Sequence, residues 1–168
     1  DQPNLMLSQL SARAKRMVLS HDVKVLFIDY LSEVKGEGRF NNKQEEIQHV
    51  SKGLRAIAKN LNIPVICIAQ LNRESEKANR LPIKSDLRES GQIEADAYSI
   101  LLLHRDEAAR PGVMSINVVK NRLGRECSLD FSFNGSTGEI EEIGYYKKNE
   151  HGATNHQNDP YSFLKNKE

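Results

Sequence analysis

The chain has 168 residues, of which 38% are hydrophobic and 28% charged, and its net charge is +1. This is enough for one ordinary domain with its own core. It excludes a global basic field, so any contact with nucleic acid has to come from a local cluster. The longest apolar runs, such as Ile100–Leu103, are too short to span a bilayer. Asp1-Gln2-Pro3 carries no basic-then-apolar export signal and no initiator Met, which fits a processed or excised chain. Two cysteines, Cys67 and Cys127, rule out a disulfide framework and read as buried, inert thiols, so a cytoplasmic setting is expected.

Leu7, Leu10, Ala14, Met17 and Val18 recur at helical spacing, and His21-Asp22 ends this first helix. Val23 to Ile28 is nearly continuous apolar sequence, the pattern of a strand buried on both faces. Residues 31–42, with Gly36, Gly38, Asn41 and Asn42, read as a mobile loop. Asn42 caps a second helix, with Glu45 placed for a capping box and a buried stripe through Ile47, Val50, Leu54, Ile57, Ala58 and Leu61. Pro64 opens a strand through Ala69, so strand, helix and strand make a βαβ unit with parallel strands and a right-handed crossover.

Residues 71–86 are polar and read as a loop, after which Ser85 or Asp86 caps a short helix through Asp96. Tyr98 to His104 is a third buried strand. Arg110-Pro111-Gly112 turns the chain, and Val113–Lys120 with Glu126–Phe133 forms a β-hairpin. Glu139–Ile143 is a last short strand, and the polar sequence 144–168 reads as a disordered tail. The predicted class is α/β: a parallel central sheet with helices on both faces, then an antiparallel hairpin, all within residues 1–143.

Ligands of open α/β sheets bind beyond the carboxyl ends of the strands. Asp29 closes the first strand and Gln70 the second. A carboxylate there holds Mg²⁺ directly or through water, and an amide reaches a γ-phosphate or its water. Asp29 by itself reads more readily as a polar strand terminus facing solvent, and Gln70 on the neighbouring strand brings the ligand-binding reading level with that one. The loop that should cradle the phosphates, G-x-x-x-x-G-K-[ST], occurs nowhere in the chain.

The segment Lys84 to Gly91 holds a second candidate site. Gly91 within a helical pattern costs about 1 kcal/mol relative to Ala, which points to close backbone approach by something. A phosphate chain fits, because Arg88 supplies charge and a helix start supplies N–H groups. Arg73, Lys77, Arg80 and Lys84 lie just upstream. No aromatic residue lies among them, so backbone tracking rather than base stacking is what the composition permits; a solvated surface loop is the alternative. Lys120 and Arg122 flank Asn121 at the hairpin tip, where alternation sends both side chains the same way. Such a pair suits a neighbour's phosphates, or is simply an exposed basic turn. The histidines lack zinc-site spacing, and no G-x-S-x-G motif occurs.

Taken in order, Val25-Leu26-Phe27-Ile28-Asp29-Tyr30-Leu31, Ala69-Gln70-Leu71-Asn72-Arg73, Ser85-Asp86-Leu87-Arg88-Glu89-Ser90-Gly91 and Lys120-Asn121-Arg122 resemble the motor domain of the replicative hexameric DNA helicases (DnaB-like), from about Leu7 to about Ile143. The resemblance implies a RecA-like P-loop NTPase core, here partial, that moves 5′ to 3′ on single-stranded DNA. It implies that Asp29 is the Walker B carboxylate, holding Mg²⁺ with nucleotide, and that Gln70 is the sensor coupling nucleotide to DNA. Arg73, Arg88, Glu89 and Gly91 fall in or beside the single-strand contact segments. Lys120 and Arg122 match the pair that completes a neighbouring subunit's ATP site.

The implied cofactors are ATP and Mg²⁺, and the implied partners are single-stranded DNA, other copies in a hexameric ring and a helicase loader or primase, with no membrane. The family's Walker A loop, its catalytic glutamate and its amino-terminal collar lie upstream of the match. This chain alone is therefore expected to bind nucleotide weakly, to be inactive, and to leave one sheet edge unpaired and apolar helix faces bare, so that it self-associates or is covered by a partner. Two other readings share the sheet. One is a non-catalytic module for single-stranded DNA binding or helicase assembly; the other is a recombinase-like or regulatory RecA-fold ATPase, which lacks the Asp-Leu-Arg-Glu-Ser-Gly run.

Overall fold

The structure, a computed structural model, describes residues 5–72, 80–87 and 90–146, with only the backbone of Ser90 and of residues 144–146. The described residues of Asp1–Asn79 and Lys84–Ala97 form one compact unit, and those of Arg80–Ile83 and Tyr98–Glu168 form another.

In the first unit, helix α1 spans Leu7–His21 and buries Leu7 and Ala14. It stops at Asp22, which turns into the left-handed region (φ 54°) and returns its N–H to Val18 O. Strand β1 (Leu26–Ile28) pairs in parallel with β2 (Val65–Cys67), as the βαβ pattern requires. Between them runs α2, Lys43–Leu61, with Ile47, Val50, Ser51, Leu54 and Ile57 buried. Its start follows the sequence with one refinement. Asn42 Oδ1 accepts the Glu45 N–H at 2.9 Å, but the Glu45 carboxylate accepts from the backbone N–H of Asn41, at 2.9 Å, instead of that of Asn42. The carboxylate thereby satisfies a donor one residue outside the helix.

Gly53 explains how α1 approaches α2. A Cβ there would stand 2.2 Å from Leu7 Cδ2, so only a residue without one admits the buried leucine. The core of this unit gathers Leu7, Ala14, Ile28, Val50, Leu54 and Ile57, among others.

Two features depart from the sequence reading. The stretch 31–42 is anchored on its own unit: Leu31 and Val34 are buried, Leu7 N–H donates to Lys35 O at 2.9 Å, and Ser8 N–H donates to Glu37 Oε1 at 2.6 Å. Free donors at the start of α1 draw the loop in. The parallel strands, read as buried on both faces, alternate instead: Phe27 (67% exposed), Ile66 and Ile68 form a bare face, while Ile28 is buried. The described helices of this unit cover one side of a pair whose sequence is apolar on both.

Helix α3, Ser90–Asp96, is fastened to α2 by a buried carboxylate. Asp96 accepts from Ser51 Oγ at 2.9 Å and Gln92 Nε2 at 3.1 Å, with Arg55 Nη1 at 3.5 Å. Just upstream, Leu71 bridges Leu87, and Asn72 N–H donates to Asp86 O at 2.8 Å.

The second unit is a four-stranded antiparallel sheet in the order β3 (Ser99–Arg105), β4 (Val113–Asn121), β5 (Cys127–Asn134), β6 (Glu139–Tyr146). The expected hairpin is its central pair. Strand β3 is half covered, with Ile100 and Leu102 buried and Leu101 and Leu103 exposed. Strand β6 runs to Tyr146, past the expected end at Ile143, because Gly144–Tyr146 keep pairing with β5; residues 147–168 lie outside the described part. Within the sheet, Ser115 faces Asp130 across β4 and β5. The buried Asp130 carboxylate accepts from Ser115 Oγ at 2.5 Å and from Arg110 Nη2 at 2.7 Å, which ties the Arg110-Pro111-Gly112 turn to the sheet.

Candidate functional site

The first site grows from the parallel pair. Ile28 lies in register with Cys67. The pairing continues beyond the strand ends, with Ile68 N–H donating to Ile28 O at 2.9 Å and Leu31 N–H to Ile68 O at 2.8 Å. Asp29 is therefore level with Ile68, and Gln70 follows two residues beyond on the adjacent carboxyl end. Asp29 continues the alternation of Phe27, and Gln70 that of Ile66 and Ile68, which is the bare face. Both side chains are exposed, and among the described residues neither has a side-chain partner. The Asp29–Tyr30 peptide is cis.

Among the described residues no three His, Cys, Asp or Glu side chains gather as a metal cage. Asp29 would offer a cation one carboxylate here. That donor set suits Mg²⁺, which keeps its waters and is bound through one or two carboxylates beside a phosphate. Cys67, the last residue of β2, is chemically quiet, because burial pushes its thiol up to about 12.

At the second candidate site, Arg73, Lys77, Arg88 and Glu89 lie outside the described residues. Gly91 is described: it is exposed, and a Cβ there would meet nothing within 4 Å among the described residues. Its flanks are engaged locally. Lys84 Nζ stands 3.9 Å from Glu94 Oε1, and Arg80 Nη1 donates to Leu81 O at 3.0 Å.

The basic pair sits at the β4 end of the second unit. Lys120 is opposite Ile100 and half-buried. Arg122 is exposed just beyond the strand, its N–H donating to Tyr98 O at 3.0 Å and its guanidinium 5.0 Å from the centre of the Tyr98 ring. Sequence reading missed Tyr98, Ser51 and Asp96. Ser51 is a polar residue within the apolar stripe of α2, a detectable signal; Tyr98 reads from sequence only as one more strand residue.

The fold is that of the RecA-like ATPases, with a parallel core sheet, flanking helices and an antiparallel C-terminal hairpin. Two solved structures share this fold. One is a DnaB-like replicative helicase studied with its interactions with primase (TM-score 0.78, 24% identity, 86% of this chain and 36% of that one). The other is a solved ATPase domain (TM-score 0.77, 24% identity, 86% of this chain and 54% of that one). The family model of the DnaB-like helicase C terminal domain matches residues 1–142, and the chain belongs to that family.

Among curated relatives, the replicative DNA helicase DnaB of Leifsonia xyli is 38% identical over 141 residues, 80% of this chain and 31% of its own length. A probable plasmid replicative DNA helicase of Chlamydia psittaci is 40% identical over 145 residues, 83% and 32%. DnaB of Rickettsia prowazekii is 45% identical over 108 residues, 64% and 22%. The chain thus spans between 22% and 32% of these relatives. No helix of the described residues is long and apolar enough to cross a membrane.

Proposed function

We propose that the chain is the carboxyl-terminal part of the ATP-driven motor of a replicative DNA helicase, which unwinds duplex DNA while moving 5′ to 3′ along a single strand in a cytoplasmic hexameric ring. The observation that carries this reading is an exposed carboxylate, Asp29, and an exposed amide, Gln70, each just beyond the carboxyl end of one of two adjacent parallel strands.

Asp29 would hold the Mg²⁺ that accompanies ATP. When bound, that ion neutralises charge on the β- and γ-phosphates. Gln70 hydrogen-bonds the γ-phosphate or its water and transmits the loss of that contact to the segment that follows it. Arg73, Arg88, Glu89 and Gly91 contact the single-strand backbone, and Lys120 and Arg122 stabilise charge developing on the nucleotide of the neighbouring subunit. A helicase loader or primase is the accessory partner, in keeping with the solved relative studied with primase.

The 168 residues contain no phosphate loop, and positioning and electrostatics are nearly all of phosphoryl-transfer catalysis. The chain alone therefore binds nucleotide weakly and hydrolyses ATP at background. An ATPase assay tests this: robust turnover that disappears with Asp29→Ala overturns the incomplete-motor reading. Single-strand binding is the independent arm. Arg88→Ala should weaken it, and an unchanged affinity overturns the DNA assignment.

A further inference from the structure

We infer that Tyr98 is a positioning residue for Arg122: its ring is the platform that aims the guanidinium out of the sheet. The inference rests on the proposed role of Arg122 and adds a residue to it.

An arginine reaching another subunit's phosphates has to leave its own surface, yet a long free side chain on a turn loses much of its benefit to rotamer entropy. The β4 end shows how that loss is limited. Arg122 lies one residue past the strand, where its N–H still donates to Tyr98 O at 3.0 Å and extends the ladder by one rung. The preceding pair, Ser99 and Asn121, is in register, and Asn121 Oδ1 accepts from Leu123 N–H at 3.3 Å, which fixes the turn. A Cβ on Gly124 would stand 2.7 Å from Asn121 Nδ2, so the turn is closed tightly around that amide. Backbone and turn together fix the root of the Arg122 side chain.

The Tyr98 ring then fixes its end, with the guanidinium carbon 5.0 Å from the ring centre, within cation–π range. Tyr98 is 58% exposed and lies outside the buried core. A ring left this open buries little apolar surface, so the contact directs a cation more than it stabilises a fold.

The first measurement uses the chain itself. The Arg122 Cδ proton and Nε–Hε resonances should lie upfield of their random-coil positions, held there by the ring. Tyr98→Leu should return them, and Tyr98→Phe should keep them. Resonances unmoved by Tyr98→Leu overturn the inference.

The second measurement joins the whole chain to the phosphate-loop part of a relative's motor and reads ATP hydrolysis. Arg122→Ala should cost about 10³-fold in kcat. Tyr98→Leu should lower kcat about two- to five-fold, the range that an exposed cation–π contact supplies, with KM unchanged. Tyr98→Phe should match the parent. If Arg122→Ala is silent, the proposed role of Arg122 fails and this inference fails with it. If Arg122→Ala is damaging while Tyr98→Leu is silent, only the inference fails.

Discussion

The crossing of α1 over α2 and the start of α3 lie in the same unit, and each carries a helical glycine. Their surroundings are opposite. Gly53 is where Leu7 of α1 presses in, and a Cβ would collide at 2.2 Å; at Gly91 a Cβ would meet nothing among the described residues. Glycine in the interior of α2 costs about 1 kcal/mol relative to Ala, whereas Gly91, in the first turn of α3, costs less. At Gly53 the packing of a buried leucine offsets it. At Gly91 no described part of the chain does. The contrast separates a glycine held by its own unit's packing from one that no described residue packs against.

Acidic residues divide the same way. Asp96 and Asp130 are buried, and each accepts from a serine and lies beside an arginine. Asp29 is exposed with no side-chain partner among the described residues. The largest effect should come from the held class. Arg110→Ala removes a half-exposed guanidinium from the buried Asp130 carboxylate and should cost about 1.5 to 3 kcal/mol in urea unfolding, the range for a hydrogen bond to a charged group. Asp29→Ala should stay within about 0.5 kcal/mol, the usual range for a surface position. Equal losses at the two would break the division.

The glycines give the next two steps. Gly53→Ala should destabilise by about 1 to 3 kcal/mol, the cost of overpacking against a buried leucine. Gly91→Ala should stabilise the chain by at most about 0.5 kcal/mol, because the position is in the first turn and not the middle of the helix, while weakening its binding to single-stranded DNA. A Gly91→Ala chain that is more stable and binds as before would leave the glycine without a role in DNA contact.

Much of this was legible in the sequence because the signals are local. Asn42 at the α2 cap, the apolar stripe at 3.6-residue spacing and the alternation of β5 each depend on neighbours within a few residues. Asp29 and Gln70 were legible as candidates because each ends an apolar run. What escaped depends on pairing across long separations. Nothing near Asp130 announces Arg110, twenty residues earlier, and nothing near Tyr98 announces Arg122, which meets it only through the register of β3 on β4. The bare sheet faces escaped for a different reason: apolar strands announce that they will be covered, not by what. The loop 31–42 misled because glycines and asparagines mark irregular backbone, and irregular backbone can still be anchored.

A similarly small effect tests that anchoring by titration. Glu46 holds the loop to α2: Lys43 Nζ donates to its carboxylate at 2.7 Å and Gly36 N–H at 3.2 Å. Its pKa is lowered, chiefly by the Lys43 hydrogen bond and against the opposing effect of burial, with a further contribution from Gly36. A carboxylate whose pKa is lower folded than unfolded binds fewer protons in the native state, so its contribution to stability is full above the unfolded value of about 4.3. That contribution is lost as pH falls from there through the folded value. The difference in unfolding free energy between the parent and Glu46→Gln should therefore be constant at neutral pH and shrink only below about 4.3. Its size should be a few tenths of a kcal/mol to about 1, because the Lys43 partner is largely exposed. A difference that persists unchanged into strong acid would mean that the charge on Glu46 contributes nothing to holding the loop.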